Sequence, residues 1–250
     1  MIFRISKSAD TAGFGGFSVP PGMRVYAIGD IHGRADLLDA IASQIENELP
    51  SAPRRVVTVL LGDYVDRGLR SAEVLDRLSK GDFPTEFIAL RGNHEQFMLD
   101  ALEDQSAFDS WRRYGGLETL ASYQVDVSGV MRGRDFVRAR EELIQKVPAA
   151  HRAFLASLPS SHEIGDFFFC HAGVRPGLPL RKQQEDDLMW IRHGFLSSIE
   201  FHGKIVIHGH TPVEAADFRS NRINIDTGAY LTNRLSCLIL EGSTRRLIHT

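Results

Sequence analysis

The residues of this chain that can bind a metal fall, almost without exception, just after short apolar or β-branched runs. Asp30 and His32 follow Val25 to Ile28, Asp63 follows Val56 to Leu61, and Asn93 follows Phe87 to Leu90. His171 follows Phe167 to Cys170, while His208 and His210 follow Ile205 to Ile207. Two further runs, Ile223 to Ile225 and Cys237 to Leu240, have the same character. Such runs, bounded by glycine-containing polar clusters and often followed by helix-like segments, predict the core strands of an α/β fold. In that class the carboxyl ends of strands line one edge of a sheet, so side chains distant in sequence converge there.

The segments between the runs agree with this class. Leu37, Leu38, Ile41, Ile45 and Leu49 recur at helical spacing, with Asp36 as expected N-cap and Pro50 and Pro53 beyond the end. They predict a helix packed back on the sheet. Residues 95 to 160 leave the strand rhythm. Phe97, Leu99, Leu102, Trp111, Leu117, Leu120, Phe136, Leu143, Phe154 and Leu158 stand among charges in mainly helical register, which predicts a helical insertion. Its basic stretch, Arg132, Arg134, Arg138 and Arg140, reads as a solvated helix face and not as a phosphate clamp. Residues 1 to 22, with Gly13, Gly15, Gly16, Pro20, Pro21 and Gly22, read as a flexible lead-in to one domain over 23–250. No Gly-Lys-Ser/Thr follows the glycines, so they are not read as a phosphate loop.

Charge and cysteine usage narrow the partners. Lys plus Arg at 29 against Asp plus Glu at 32 gives no global pull toward nucleic acid or an anionic membrane, so an anionic substrate must be captured locally. Cys170 and Cys237 lie in apolar stretches and read as buried, reduced thiols. With no apparent signal peptide and no apolar run of membrane-spanning length, a cytoplasmic location is expected, with neither nucleic acid nor membrane as partner. The oligomeric state stays open.

As ligands, these residues form a mixed oxygen and nitrogen set, suited to Mn²⁺, Fe or Zn²⁺ more than an all-oxygen cage would be. Their number exceeds what one open catalytic site needs, so two ions fit better than one. Asp63 is the natural bridge between ions roughly 3.5–4 Å apart. Singly, each residue has a plainer reading: Asp30-Ile31-His32 is a common pattern, and Asp63 could cap a helix or turn. Jointly, at successive strand ends, they favour catalysis.

The motifs Gly29-Asp30-Ile31-His32-Gly33, Gly62-Asp63-Tyr64-Val65-Asp66-Arg67-Gly68, Arg91-Gly92-Asn93-His94-Glu95, His171-Ala172-Gly173 and Gly209-His210-Thr211-Pro212 resemble those of calcineurin-like metallophosphoesterases. More narrowly they are similar to bacterial and phage serine/threonine phosphoprotein phosphatases. The resemblance implies a four-layer fold, a β-sandwich of mixed sheets flanked by helices. It implies two divalent ions, Mn²⁺ first and Fe or Zn²⁺ as alternatives, that lower the pKa of a bridging water. Asp30 and His32 would hold the first ion, Asp63 would bridge, and Asn93, His171 and His210 would hold the second. His208 is left over as an end-of-strand or ligand-orienting residue. Arg67, Arg91 and, from Asp187-Leu188-Met189-Trp190-Ile191-Arg192, Arg192 are the implied phosphate-binding arginines. Arg91 has an equal structural reading, and Arg192 has a plain reading as a surface arginine beside a buried Trp190. His94 is the implied proton donor to the leaving alkoxide, with Asp66 orienting it, although a helix-cap reading of Asp66 stays open. Asp226 is expected behind the ligands and Tyr230 at the cleft.

The expected substrate is a phosphoprotein or a phosphorylated small molecule. A diadenosine tetraphosphatase is the nearest alternative, but Asp66 and Glu95 match the protein phosphatases better. A cyclic-nucleotide phosphodiesterase is disfavoured because Pro212 stands where that branch has His, and His94-Glu95 is not a zincin motif because position 98 is Met. A catalytically silent phosphate-binding protein would be expected to have lost ligands, and none is missing.

Overall fold

The computed structural model describes residues 16–250. Two five-stranded sheets dominate. The first has the order β10-β9-β1-β2-β3, from β1 (Met23–Ile28), β2 (Arg55–Leu60), β3 (Glu86–Ala89), β9 (Ser236–Glu241) and β10 (Thr244–His249). The second has the order β4-β5-β6-β8-β7, from β4 (Ser161–Ile164), β5 (Phe167–Cys170), β6 (Ile205–His208), β7 (Asp217–Phe218) and β8 (Arg222–Asn224). Parallel pairs β1–β2, β2–β3, β5–β6 and β6–β8 form the centres, and antiparallel strands flank them.

The central strands are buried on both faces, which is why they read as continuous apolar runs and not as alternating ones. Val25, Ala27, Val57 and Val59 of the first sheet pack with Phe167, Phe169, Ile205 and Ile207 of the second. The opposite face of the first sheet, with Tyr26, Ile28 and Leu60, joins a core with α1 (Ala35–Glu48) and α2 (Ser71–Ser79). Most of that core's remainder comes from the insertion, α3 (Asn93–Glu103), α4 (Gln105–Trp111), α5 (Gly116–Ser122), α6 (Ser128–Met131), α7 (Phe136–Lys146) and α8 (Ala149–Ser157). On the outer face of the second sheet, Phe168, Cys170 and Val206 pack on α9 (Glu185–Trp190) and α10 (His193–Leu196) through Leu188 and Phe195. A short α11 (Ala229–Thr232) follows β8. The result is the expected sandwich of mixed sheets between helical layers. Both cysteines are buried and free, and no helix among the described residues is long and apolar enough to cross a membrane.

Several local expectations need correction. Asp36 does not cap α1: Arg34 holds the N-cap position, and Asp36 lies in the first turn, where its carboxylate accepts from the Arg34 guanidinium at 2.6 and 2.9 Å. A carboxylate there also faces the positive end of the helix dipole. Most of the lead-in, residues 1–15, lies outside the described residues. Its described part is packed: Val19 is buried among the inter-sheet residues, and the Ser18 N–H donates to the Asp166 carboxylate at 2.8 Å. Of the basic stretch, Arg138 is an exposed partner of Asp126, but Arg140 turns inward to the Ala101 and Leu102 carbonyls. There it satisfies acceptors at the end of α3 that no helical N–H can reach.

Candidate metal centre

The strand order places the ligand candidates at one edge of the sandwich. Asp30 and His32 follow β1, Asp63 follows β2 and Asn93 opens α3 after β3, while His171 follows β5 and His210 follows β6. All six are buried. His32, Asp63 and His210 adopt left-handed backbone conformations, with φ of 46°, 53° and 66°. Such conformations are costly for these residue types and persist only where the surroundings impose them.

Asp63 lies at the centre. Its Oδ1 is 3.4 Å from His171 Nε2, and its Oδ2 is 3.4 Å from His32 Nε2 and 3.9 Å from His94 Nε2. Two metal-capable triads therefore share this carboxylate: His32, Asp63 and His94, and Asp63, His171 and His210. On the second side, Asn93 Oδ1 is 3.0 Å from His171 Nε2 and 2.9 Å from His210 Nδ1, and the two imidazole nitrogens are 3.1 Å apart. The rings of His32 and His171 each have Nδ1 at the carbonyl of the Asp63 loop, Val65 at 2.9 Å and Leu61 at 3.0 Å. With Nδ1–H spent there, each Nε2 presents a lone pair to Asp63. Lone-pair donors converging on other acceptors at these distances make a set that fits cations better than hydrogen bonds. Asp30 belongs to neither triad: its Oδ2 accepts the backbone N–H of His210 at 3.0 Å, and its Oδ1 is buried without a hydrogen-bond partner among the described residues.

The electrostatics suit divalent ions. Burial holds His32 down to about 3 and His210 to about 2, and it also lowers His171, so these imidazoles are neutral ligands in waiting. Burial works to raise Asp63, but the four surrounding imidazoles of His171, His94, His32 and His210 draw its pKa below the ordinary carboxylate range. Asp30 is pushed up by burial and by the charges of Asp226 and Asp63, and burial lifts Asp226 to about 6. Crowded buried carboxylates of this kind are relieved by positive charge.

His94 differs from the other rings. Its Nδ1 is 2.7 Å from Asp66 Oδ2, and the Asp63 and Asp66 carboxylates raise its pKa against the opposing effect of burial. Two guanidinium groups flank the cluster. Arg67 reaches His32 Nε2 at 2.9 Å and His94 Nε2 at 3.0 Å while stacking on the Tyr230 ring, and Arg192 Nε donates to His210 Nε2 at 2.9 Å. Trp190 beside it is 38% exposed, not buried, with its ring on Phe97. Arg91 is the exception among the expected arginines. It donates to Gln96 and to the Ala156 carbonyl near the end of α8, contacts that agree with its structural reading. His208 is buried at the end of β6 against Phe195 and Arg222, outside the ligand cluster.

Glu95 and the insertion residues Trp111 and Thr119 were not recognised in sequence as parts of the site. The buried Glu95 carboxylate accepts the N–H groups of Asp63 at 2.8 Å, Tyr64 at 2.7 Å and Gly92 at 2.9 Å, tying the start of α3 to the loop after β2. Burial and the Asp63 charge push Glu95 up to about 8, while these backbone donors pull it back. Glu95→Ala strands three buried donors, each worth about 1–3 kcal/mol, so a stability loss of at least about 3 kcal/mol is expected. Urea unfolding of the metal-stripped protein measures it, and a loss below 1 kcal/mol would rule out the clamp. Asp66, for its part, accepts from Trp111 Nε1 at 2.8 Å and Thr119 Oγ1 at 2.7 Å.

Comparisons with known proteins agree with this geometry. A family model described as calcineurin-like phosphoesterase matches residues 23–237. Serine/threonine-protein phosphatase 2 of Salmonella typhimurium is 26% identical over 221 residues, covering 85% of this chain and 90% of that protein. The asymmetrical bis(5'-nucleosyl)-tetraphosphatase PrpE of Bacillus velezensis is 27% identical over 232 residues, covering 84% of this chain and 86% of that protein. Among solved structures, a provisionally assigned diadenosine tetraphosphatase matches with a TM-score of 0.66 at 19% identity, covering 93% of this chain and 96% of its own. That last likeness speaks for the fold alone.

Proposed function

The chain belongs to the calcineurin-like phosphoesterase family, and from that premise we propose that it hydrolyses phosphomonoesters of serine and threonine with two divalent ions bound at the Asp63 cluster. The observation that carries the reading is the buried pair of His94 Nδ1 and Asp66 Oδ2 at 2.7 Å, set beside the bridging carboxylate. A serine or threonine alkoxide is a poor leaving group and needs a proton as it departs, whereas a nucleotide leaving group depends on one far less.

Asp30, His32 and Asp63 would hold one ion, and Asp63, Asn93, His171 and His210 the other, with Mn²⁺ the first choice and Fe or Zn²⁺ the alternatives. When bound, two such ions polarise a phosphoryl oxygen and bring the pKa of a water toward neutrality. The protein's own groups do the rest. Arg67 and Arg192 place guanidinium forks on either side of the cluster to orient a phosphoryl group and offset charge on its equatorial oxygens. His94 keeps Nδ1–H on Asp66 and turns Nε2 toward the cluster, where it delivers a proton to the departing oxygen. Asp66 stabilises the ring's charged form before that transfer.

The relative from Bacillus velezensis is named for a dinucleotide, so that substrate class is the other arm of the test. Protein stripped of metal and repleted with Mn²⁺ is expected to turn over a phosphoserine peptide faster than diadenosine tetraphosphate. Faster dinucleotide cleavage would transfer the same centre to nucleotide polyphosphates. No metal-dependent turnover of either would refute the hydrolase reading for both substrate classes.

A further inference from the structure

We infer that Trp111 and Thr119 of the helical insertion are positioning residues for phosphoester hydrolysis, fixing the Asp66 carboxylate and through it the ring of His94. The inference rests on His94 being the proton donor. Asp66 has no solvent exposure, and both its oxygens are occupied from the insertion side: Oδ2 by the indole N–H of Trp111 and Oδ1 by the hydroxyl of Thr119. The same hydroxyl oxygen lies 2.9 Å from the Asp66 backbone N–H and accepts from it, so Thr119 grips the residue at both ends. One position along, the Arg67 N–H donates to the Gly115 carbonyl at 3.0 Å. Asp66 and Arg67 have φ of 71° and 67°, two consecutive non-glycine residues in the left-handed region. A turn of that kind keeps its shape only under outside restraint, and α4, α5 and the link between them supply it.

The insertion is shaped to come this close. Gly115 has φ +103°, and a Cβ there would lie 2.7 Å from Arg67 Cγ; a Cβ on Gly116 would lie 2.7 Å from the Trp111 ring. Trp111 is fully buried, and its one polar atom is spent on Asp66. The acceptor that any buried indole N–H requires is here the carboxylate that also holds His94, so packing of Trp111 and orientation of the ring are tied together. Without these two donors Asp66 could rotate, and His94 Nε2 would lose its alignment with the leaving oxygen.

The test compares Thr119→Val, Thr119→Ser and Trp111→Phe in the Mn²⁺-loaded full chain on two substrates, a phosphoserine peptide and p-nitrophenyl phosphate, whose leaving group needs little help from an acid. Thr119→Val and Trp111→Phe are each expected to lower kcat on the peptide roughly 10–100-fold, the range seen when an outer partner of a functional side chain is removed. KM, metal content and turnover of p-nitrophenyl phosphate should change less than about 3-fold, and Thr119→Ser should restore the peptide activity. Equal losses on both substrates, or no loss on either, while His94→Asn still discriminates between them, would overturn the positioning role. If His94→Asn itself treats the two substrates alike, the proton-donor reading fails and the inference with it. Should Trp111→Phe not fold, the Thr119 pair decides the matter alone.

Discussion

Asp63→Asn is expected to lower metal-dependent phosphoester hydrolysis by about 10³-fold or more, the scale of removing one preorganised electrostatic group worth about 4 kcal/mol. The substitution is nearly isosteric, so packing should survive. What it removes is the negative charge that two sets of ligands share, since the two carboxylate oxygens face opposite sides, toward His171 and toward His32. An amide has one acceptor oxygen and cannot serve both. Metal content measured by inductively coupled plasma mass spectrometry should therefore fall together with activity, toward one ion per chain or none. The backbone of Asp63 adds a fold-level check: its carbonyl accepts from Ile31 and His32, and its N–H donates to Glu95, all independent of the side-chain charge. A melting temperature close to that of the unaltered metal-stripped protein is expected. Retention of two ions and of activity in Asp63→Asn would refute the shared-carboxylate centre.

What was legible in the sequence was what strand ends make legible. A buried parallel strand reads as an apolar run, and the residue after it must lie at the sheet's carboxyl edge, so Asp30, Asp63, Asn93, His171 and His210 could be placed together without coordinates. Among the edge strands only β3, with its run Phe87 to Leu90, carried such a signal. The strand β7 has two residues, and β10, Thr-Arg-Arg-Leu-Ile-His, has two arginines among its six residues, as suits a strand that borders the first sheet. For Arg91 the sequence leaves both a phosphate-binding and a structural reading open, because motif adjacency to Asn93 says nothing about which way a side chain leaves the strand end. Its guanidinium goes to the Ala156 carbonyl, across the insertion. Trp111 was legible only as an apolar residue in helical register, and Thr119 not at all. Both contacts to Asp66 span 45 or 53 residues of chain, and no local periodicity encodes a polar contact over that separation. The Gly115-Gly116 pair was the available trace, since two glycines opening a helix mark a close approach of backbone to something else.

His94→Asn is expected to separate binding of the ions from proton delivery. His94 lies in one of the two metal-capable triads, so distance alone would admit it as a ligand. Its environment argues against that use. His32 is held near 3 by burial and is thus a ready neutral donor, whereas the Asp63 and Asp66 carboxylates raise His94 despite its burial. A raised pKa suits a group that carries a proton to where it is needed. Asn can retain a donor toward Asp66 but has no titratable nitrogen to offer a departing alkoxide. Metal content should stay at that of the unaltered chain, and kcat on a phosphoserine peptide should fall by roughly 10²–10⁴, the usual worth of general acid catalysis. With p-nitrophenyl phosphate the fall should be smaller by at least about tenfold, because its leaving group departs as a stable anion. If an ion is lost along with the ring, His94 is a ligand and the proton must come from elsewhere in the cleft. If the ions stay and both substrates slow equally, His94 orients the phosphoryl group and does not protonate the leaving oxygen.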